Sequence, residues 1–285
     1  MPHIEPFFDD TTFSYSYVVS TPDRHAAIID AVLEFDPSAV RTHTRHADAI
    51  IDYVRTQNLT VDWILETHVH ADHFSAAQYL QSKLGGQVAI GEHVTDVQQL
   101  FKGVFNAGPE FCCNGSQFDR LLKDGDQLAL GELCIEVLHT PGHTPACVTY
   151  LIDGAAFVGD TLFMPDYGSA RTDFPGGNAH DLYHSIQRIL KLPGTTALYV
   201  CHDYGTANRQ TFQCLTDVET QKHSNIHIND DVSEADFVAF RQGRDADLAA
   251  PRLLYPSVQF NMRGGAMPPA DANGRVYLKL PVKVA

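Results

Sequence analysis

Four metal-capable side chains fall within six residues in the run Thr67-His68-Val69-His70-Ala71-Asp72-His73. Imidazole and carboxylate together suit zinc, iron or manganese, and hold such ions at about 2.0–2.2 Å. Three further candidates stand apart in the chain. They are His143 within His139-Thr140-Pro141-Gly142-His143-Thr144-Pro145, Asp160 within Gly159-Asp160-Thr161, and His202 within His202-Asp203-Tyr204-Gly205. An isolated histidine is more often a satisfied hydrogen-bonding residue than a ligand. Seven such groups, each at the end of a predicted strand or in the one dense turn, argue instead for a shared metal centre. A metal-free binding module is disfavoured, because a buried cluster of His and Asp is costly without a cation.

The elements that must position these residues are legible in outline. The apolar run Trp63-Ile64-Leu65 closes a buried strand over residues 59–66, and a helix starts near Ser75, so the dense cluster occupies a strand-to-helix turn. Upstream, aromatic alternation (Phe13, Tyr15, Tyr17) predicts a strand over 12–20. A second strand is expected over 25–33, and a helix over 42–58 from Ile50, Ile51, Tyr53 and Val54. A short strand over 87–90 and a helix over 94–101 follow Gly85-Gly86. Downstream, a strand over 133–138 leads into the His143 loop, whose flanking prolines forbid helix. Strands over 147–152 and 155–158 read as a hairpin about Asp153-Gly154, ending at Asp160. A helix is expected over 180–192 and a strand over 197–201 ending at His202. By alternation that strand should turn the Cys201 side chain away from its neighbour, into core. Helical stretches near 209–223 and 233–248 precede a tail, 251–285, rich in Pro and Gly. The fold class is α/β: two mixed sheets flanked by helices. Residues 1–285 read as one domain, with 206–285 a C-terminal helical and irregular extension packed on it.

Composition narrows the functional classes. With 44% hydrophobic residues in 285, the chain can bury a sizeable core. Its net charge of −15 argues against nucleic acid and against anionic membrane surfaces, both of which require clustered Lys and Arg. An anionic substrate would need positive charge concentrated in the pocket. The six cysteines form no C-x-x-C pair, so reduced thiols and a cytoplasmic location are expected. Met1-Pro2-His3-Ile4-Glu5-Pro6 has no basic region and no apolar core and is not expected to act as a leader, and no apolar run reaches about 20 residues.

The pattern His68-x-His70-x-Asp72-His73, then His143, Asp160 and His202, resembles the metallo-β-lactamase superfamily and implies its αββα sandwich. The flank Gly168-Ser169-Ala170-Arg171-Thr172-Asp173-Phe174, with His202-Asp203-Tyr204 and Asn261-Met262-Arg263, resembles the persulfide dioxygenases. The acidic stretch around 209–250 is most similar to their bacterial, β-lactamase-hydrolase-like branch. The resemblance implies one Fe(II) per chain, held by the catalytic residues His68, His143 and Asp160. A two-His-one-carboxylate face leaves positions for O₂ and substrate. His70, Asp72, His73 and His202 would then orient the ligands or hold a second metal. The implied reaction is oxidation of glutathione persulfide by O₂ and water to sulfite and glutathione. Arg171 is the foremost substrate-binding candidate, with Tyr204, Arg263 and Arg252 behind it. The alternative is a glyoxalase II-like thiolester hydrolase with zinc or another metal pair bridged by Asp160. The ligand residues fit either scheme. The reading leaves room for a homodimer.

Overall fold

The computed structural model describes residues 1–282. The first half runs β1 (His3–Asp9), β2 (Ser14–Ser20), β3 (His25–Ile29), β4 (Val32–Asp36), β5 (Arg41–His43), α1 (Arg45–Thr56), β6 (Thr60–Leu65), β7 (Phe74–Ser75), α2 (Ala77–Leu84), β8 (Gln87–Gly91), α3 (Val94–Val104) and β9 (Arg120–Leu122). The second half runs β10 (Gln127–Leu130), β11 (Leu133–His139), β12 (Val148–Ile152), β13 (Ala155–Phe157), α4 (Ala179–Leu190), β14 (Ala197–Tyr199), β15 (Leu215–Asp217), α5 (Val218–Ser224), α6 (Glu234–Asp245) and α7 (Leu254–Asn261).

Two six-stranded sheets result, ordered β1-β2-β3-β6-β8-β9 and β10-β11-β12-β13-β14-β15. Both mix parallel and antiparallel pairs: β3, β6, β8 and β9 are parallel neighbours in the first, and β13 and β14 in the second. The period-two rule explains how they stack. In β2, β3 and β6, Val18, Ile28 and Ile64 face one way and pack with Ile50, Val54 and Leu80 of α1 and α2. Their neighbours Val19, Ile29 and Leu65 face the other way, onto Ile135, Val137, Tyr150 and Phe157 of the second sheet. The outer face of that sheet, with Ala156 and Leu198, is covered by Leu182, Ile186 and Ile189 of α4 and Phe237 of α6. These layers are the expected αββα sandwich.

Helix ends follow local chemistry. Asn178 caps α4 by accepting from the His180 and Asp181 amides, and Ser233 caps α6 from the Asp236 amide. Three expectations are corrected. The single strand over 25–33 is two strands, broken at Asp30, whose φ of 51° turns the chain. The stretch 209–223 is helical only in α5, because Arg209 is drawn to Asp166 and Asp203 and holds a loop before it. The tail contains α7, which its Pro-rich composition hides. No described helix is long and apolar enough to cross a membrane.

Candidate metal centre

The metal-capable turn after β6 is held rigid from below. Asp30 accepts from the Thr67 amide at 2.7 Å, the Thr67 hydroxyl at 2.8 Å and His70 Nε2 at 3.0 Å. Because the Thr67 hydroxyl is spent on Asp30, its oxygen accepts from His68 Nδ1 at 3.0 Å, which leaves His68 Nε2 as a bare lone pair. From above, Asn261 at the end of α7 donates to the His70 and His73 carbonyls, both at 2.8 Å, and accepts from the Ser75 amide at 2.8 Å. One side chain thus closes both ends of the turn. Asn261→Ala should remove all three bonds and cost about 3 kcal/mol, a fall of several degrees in Tm. Thermal unfolding checks this, and an unchanged Tm would leave Asn261 without that role.

Three other loops bring the remaining residues, each from just beyond a strand. His143 follows β11, and its Nδ1 donates to the Arg171 carbonyl at 2.8 Å. A carbonyl can only accept, so Nε2 is the free nitrogen. Gly142 before it has φ 137°, and a Cβ there would lie 2.3 Å from the Leu182 Cα of α4. Asp160 follows β13, behind Gly159 at φ 50°, where a Cβ would sit 2.5 Å from the Thr67 hydroxyl. His202 follows β14, with its Nδ1 3.3 Å from the Ser14 hydroxyl.

The convergence is tight. Ligand atoms of His68, His143 and Asp160 lie within 4.8 Å of one another, and those of His70, Asp72, His73 and His202 form a second such group. Asp160 Oδ2 stands 3.9 Å from His68 Nε2 and 3.7 Å from His143 Nε2, while Oδ1 stands 3.5 Å from His202 Nε2. The buried atoms His68 Nε2, His70 Nδ1, His73 Nε2, Asp160 Oδ1 and His202 Nε2 have no hydrogen-bond partner. Buried polar atoms are seldom left so. Five orphans divided between the two adjoining ligand groups, each on a residue whose other polar atom is engaged or aimed at the same cluster, are what bound cations would satisfy. The donor set therefore fits a metal ion. Burial, with His70 and His143 alongside, holds the His68 imidazole well below its usual pKa, in the neutral form a ligand needs. Burial would lower His70 too, but the Asp30 and Glu66 carboxylates override it and raise it well above. Asp72 is partly buried, yet His202 and His73 keep it ionised well below the usual carboxylate range.

Comparison with known proteins agrees with this geometry. The sequence pattern of the Metallo-beta-lactamase superfamily matches residues 9–202, which contain all seven candidate ligands. The chain belongs to the metallo-β-lactamase superfamily. It is 53% identical to a "Probable metallo-hydrolase" of Burkholderia pseudomallei, over 98% of each chain. It is 49% identical over its whole length to a "Beta-lactamase hydrolase-like protein" of Agrobacterium fabrum, and spans 65% of that protein. It is 30% identical to the human "Persulfide dioxygenase ETHE1, mitochondrial", over 93% of this chain and 90% of that one. Among solved structures, ETHE1 from Myxococcus xanthus superposes with a TM-score of 0.74 at 27% identity, covering 93% of this chain and 100% of that one.

The cluster of candidate ligands opens into a cavity of about 720 Å³. His73, His143, Asp72 and Asp160 lie in its lining, with Phe163, Tyr167 and Tyr204 beside them. Tyr204 stacks on His202 at 5.4 Å between ring centres and 7° between planes. Five arginines line the cavity in a chain of net charge −15: Arg45, Arg171, Arg241, Arg244 and Arg252. Arg45 is ion-paired with Glu34, Arg241 with Asp245, and Arg171 with Asp173. Arg244 and Arg252 are in no ion pair with a described residue.

Two sequence expectations change in emphasis. Arg171 lines the cavity, but its Nε and Nη2 donate to Asp173 and its Nη1 to the Ala249 carbonyl at 2.8 Å. Arg263 is not in the lining; it lies over the Phe111 ring, 4.4 Å from its centre, and donates to the Gln259 carbonyl. Arg244 joins the lining without any sequence signal, since the second of two arginines late in an acidic helix stands out by nothing local. Asp30 gives none either, because its role depends on a contact 37 residues away in sequence; Asn261 stands in the resemblance carried by Asn261-Met262-Arg263, but its hold on a turn 186 residues away has no local signal. Cys201 corrects the alternation argument. β14 ends at Tyr199, so its period no longer governs residue 201, and the buried Sγ lies within 4.8 Å of ligand atoms of Asp160 and His202. All six cysteines are free.

Proposed function

We propose that the chain is a glutathione-dependent persulfide dioxygenase, oxidising glutathione persulfide with O₂ and water to sulfite and glutathione. The observation that carries this reading is the His68, His143 and Asp160 group, whose His143 and Asp160 line a cavity with two guanidinium groups in no ion pair with a described residue on its wall. The likeness to persulfide dioxygenases over 93% of the chain supports it. One Fe(II) held by those three residues would supply coordination positions to the outer sulfur and to O₂. The stoichiometry balances: both atoms of O₂ and the oxygen of one water end in sulfite, and the outer sulfur gives up four electrons as O₂ takes four.

The chain's own residues provide the rest. Arg244 and Arg252 suit the two carboxylates of the tripeptide, and Asp36 on the β4 side suits its ammonium. Phe163, Tyr167 and Tyr204 form an aromatic wall near the cluster that limits water beside the reacting sulfur. Arg244→Gln and Arg252→Gln should each raise KM about 10–100-fold with kcat within about threefold, since each charge-assisted bond is worth roughly 1.5–3 kcal/mol. Steady-state kinetics checks this, and an unaltered KM would rule these arginines out as anchors.

A specific observation favours a second reading, a two-metal thiolester hydrolase. Asp160 directs one oxygen toward each ligand group, and His73 and His202 both have bare Nε2 atoms. The metallo-hydrolase name of the 53% relative points the same way. Metal analysis together with O₂ uptake on glutathione persulfide, set against hydrolysis of S-lactoylglutathione, separates the two. About one iron per chain with O₂ uptake is expected; two metals with thiolester hydrolysis and no O₂ uptake would replace the dioxygenase.

A further inference from the structure

Helix α6 lies outside the residues matched by the superfamily pattern, yet it grips the loop that steadies one candidate metal ligand. Asp245 at its end is buried and accepts from the Thr172 amide at 2.7 Å and the Thr172 hydroxyl at 3.0 Å, both on Oδ2. Its Oδ1 accepts from Arg241 Nε at 3.0 Å and Nη2 at 2.7 Å. Arg241 is 1% exposed and spends its remaining donor on Ser169, at 3.2 Å to the carbonyl and 3.4 Å to the hydroxyl. Beyond the helix, the Ala249 carbonyl takes Arg171 Nη1. The peptide linking Arg171 to Thr172 is thus fixed through its N–H, and its carbonyl is the acceptor for His143 Nδ1.

We infer that Asp245, locked in place by Arg241, is a positioning residue for the metal ligand His143. It sets the orientation of the 171–172 peptide, and so the direction in which His143 Nε2 points. Every joint in this path is a hydrogen bond between buried or nearly buried groups, where geometry is held most firmly. A buried ion pair is by itself weak evidence of stabilisation, since an apolar pair often serves as well. A role in directing a ligand explains why charges stand there. The inference rests on His143 being a ligand, which both reactions under Proposed function share, and not on which of them occurs.

The test pairs two variants. Arg241→Met/Asp245→Leu removes both charges together with the acceptor for Thr172. Arg241→Met/Asp245→Asn removes the charges but keeps an amide oxygen for the Thr172 N–H. Each is loaded with Co(II) and challenged with a chelator, following the visible absorption of the bound ion. The Leu variant should lose Co(II) at least tenfold more readily than the parent, in the range typical when a ligand's hydrogen-bonded support is removed. The Asn variant should stay within about threefold. A third variant, Phe237→Leu, loosens α6 on its α4 side without touching the loop. It should lower Tm and leave Co(II) retention unchanged. Equal retention in the Leu and Asn variants, or a loss in Phe237→Leu matching that of the Leu variant, would overturn the inference. Should the Leu variant fail to fold, Thr172→Val, which deletes one of the two bonds to Asp245 and no charge, must release Co(II) at least about twofold faster; retention equal to the parent would equally overturn it.

Discussion

Asp160→Ala should abolish metal retention and lower turnover by roughly 10³-fold or more, about 4 kcal/mol of barrier. Asp160 is the one residue whose two oxygens reach toward both ligand groups, so its loss damages either site. The sign of the stability change distinguishes ligand from structural brace. In the metal-free protein Asp160 Oδ1 is buried without a partner, an unfavourable arrangement that alanine relieves. Metal-free Asp160→Ala should therefore be at least as stable as the metal-free parent. What it should lack is the rise in Tm that metal gives the parent, which by mass action is about 2.7 kcal/mol at a hundredfold excess over Kd. Thermal melts with and without metal check both statements. A variant that still gains stability from metal, or retains full activity, would remove Asp160 from the ligand set.

Gly142→Ala should be the most damaging single methyl group in the chain. At φ 137° an L-residue is strained, and its Cβ would lie 2.3 Å from the Leu182 Cα, 2.4 Å from its nitrogen and 2.5 Å from its Cβ. Those are atoms of a helix, which cannot swing aside as a flexible side chain would. Backbone strain and overpacking together should cost about 3–5 kcal/mol. The alternative to unfolding is for the loop to lift away from α4, which carries His143 with it. Either loss of the folded state or a weakened metal site is expected, read by circular dichroism and metal analysis. A stable variant with normal metal content would show that the loop does not need that approach. The same contact explains the Pro141-Gly142-His143 spelling: Pro141 sets the path and its carbonyl accepts from Ser185 of α4, while Gly142 lets the helix come close.

Much of the centre was legible because its signals are local. The turn from Thr67 to His73 advertises itself by composition, and the hairpin at Asp153-Gly154 by two residues that take positive φ, at 45° and 83°. His143, Asp160 and His202 follow from strand ends, and their strands follow from apolar runs buried between the sheets. What stayed hidden is of three physical kinds. β1 contains Pro6, which weakens any strand reading, and it survives because it is an edge strand paired only with β2. α7 contains Pro256 early in the helix, where a missing N–H does no harm, but composition alone reads it as loop. The third kind is long-range: Asp30, Asn261 and Asp245 act on groups brought near only by folding, and no spacing rule reaches those contacts. Arg171 shows the converse. Its sequence neighbourhood marked it for substrate, whereas the folded chain gives its donors to Asp173 and Ala249.

The side chain of Asn261 sews the metal-capable turn shut from a position 59 residues past the last candidate ligand, His202. A polypeptide stopped soon after that histidine would own every donor atom and yet have no clasp for the turn that presents four of them. Trimming just ahead of α7 should therefore yield a protein that keeps both sheets and their α6 cover but grips metal poorly. The far end of the chain is a working part of the centre.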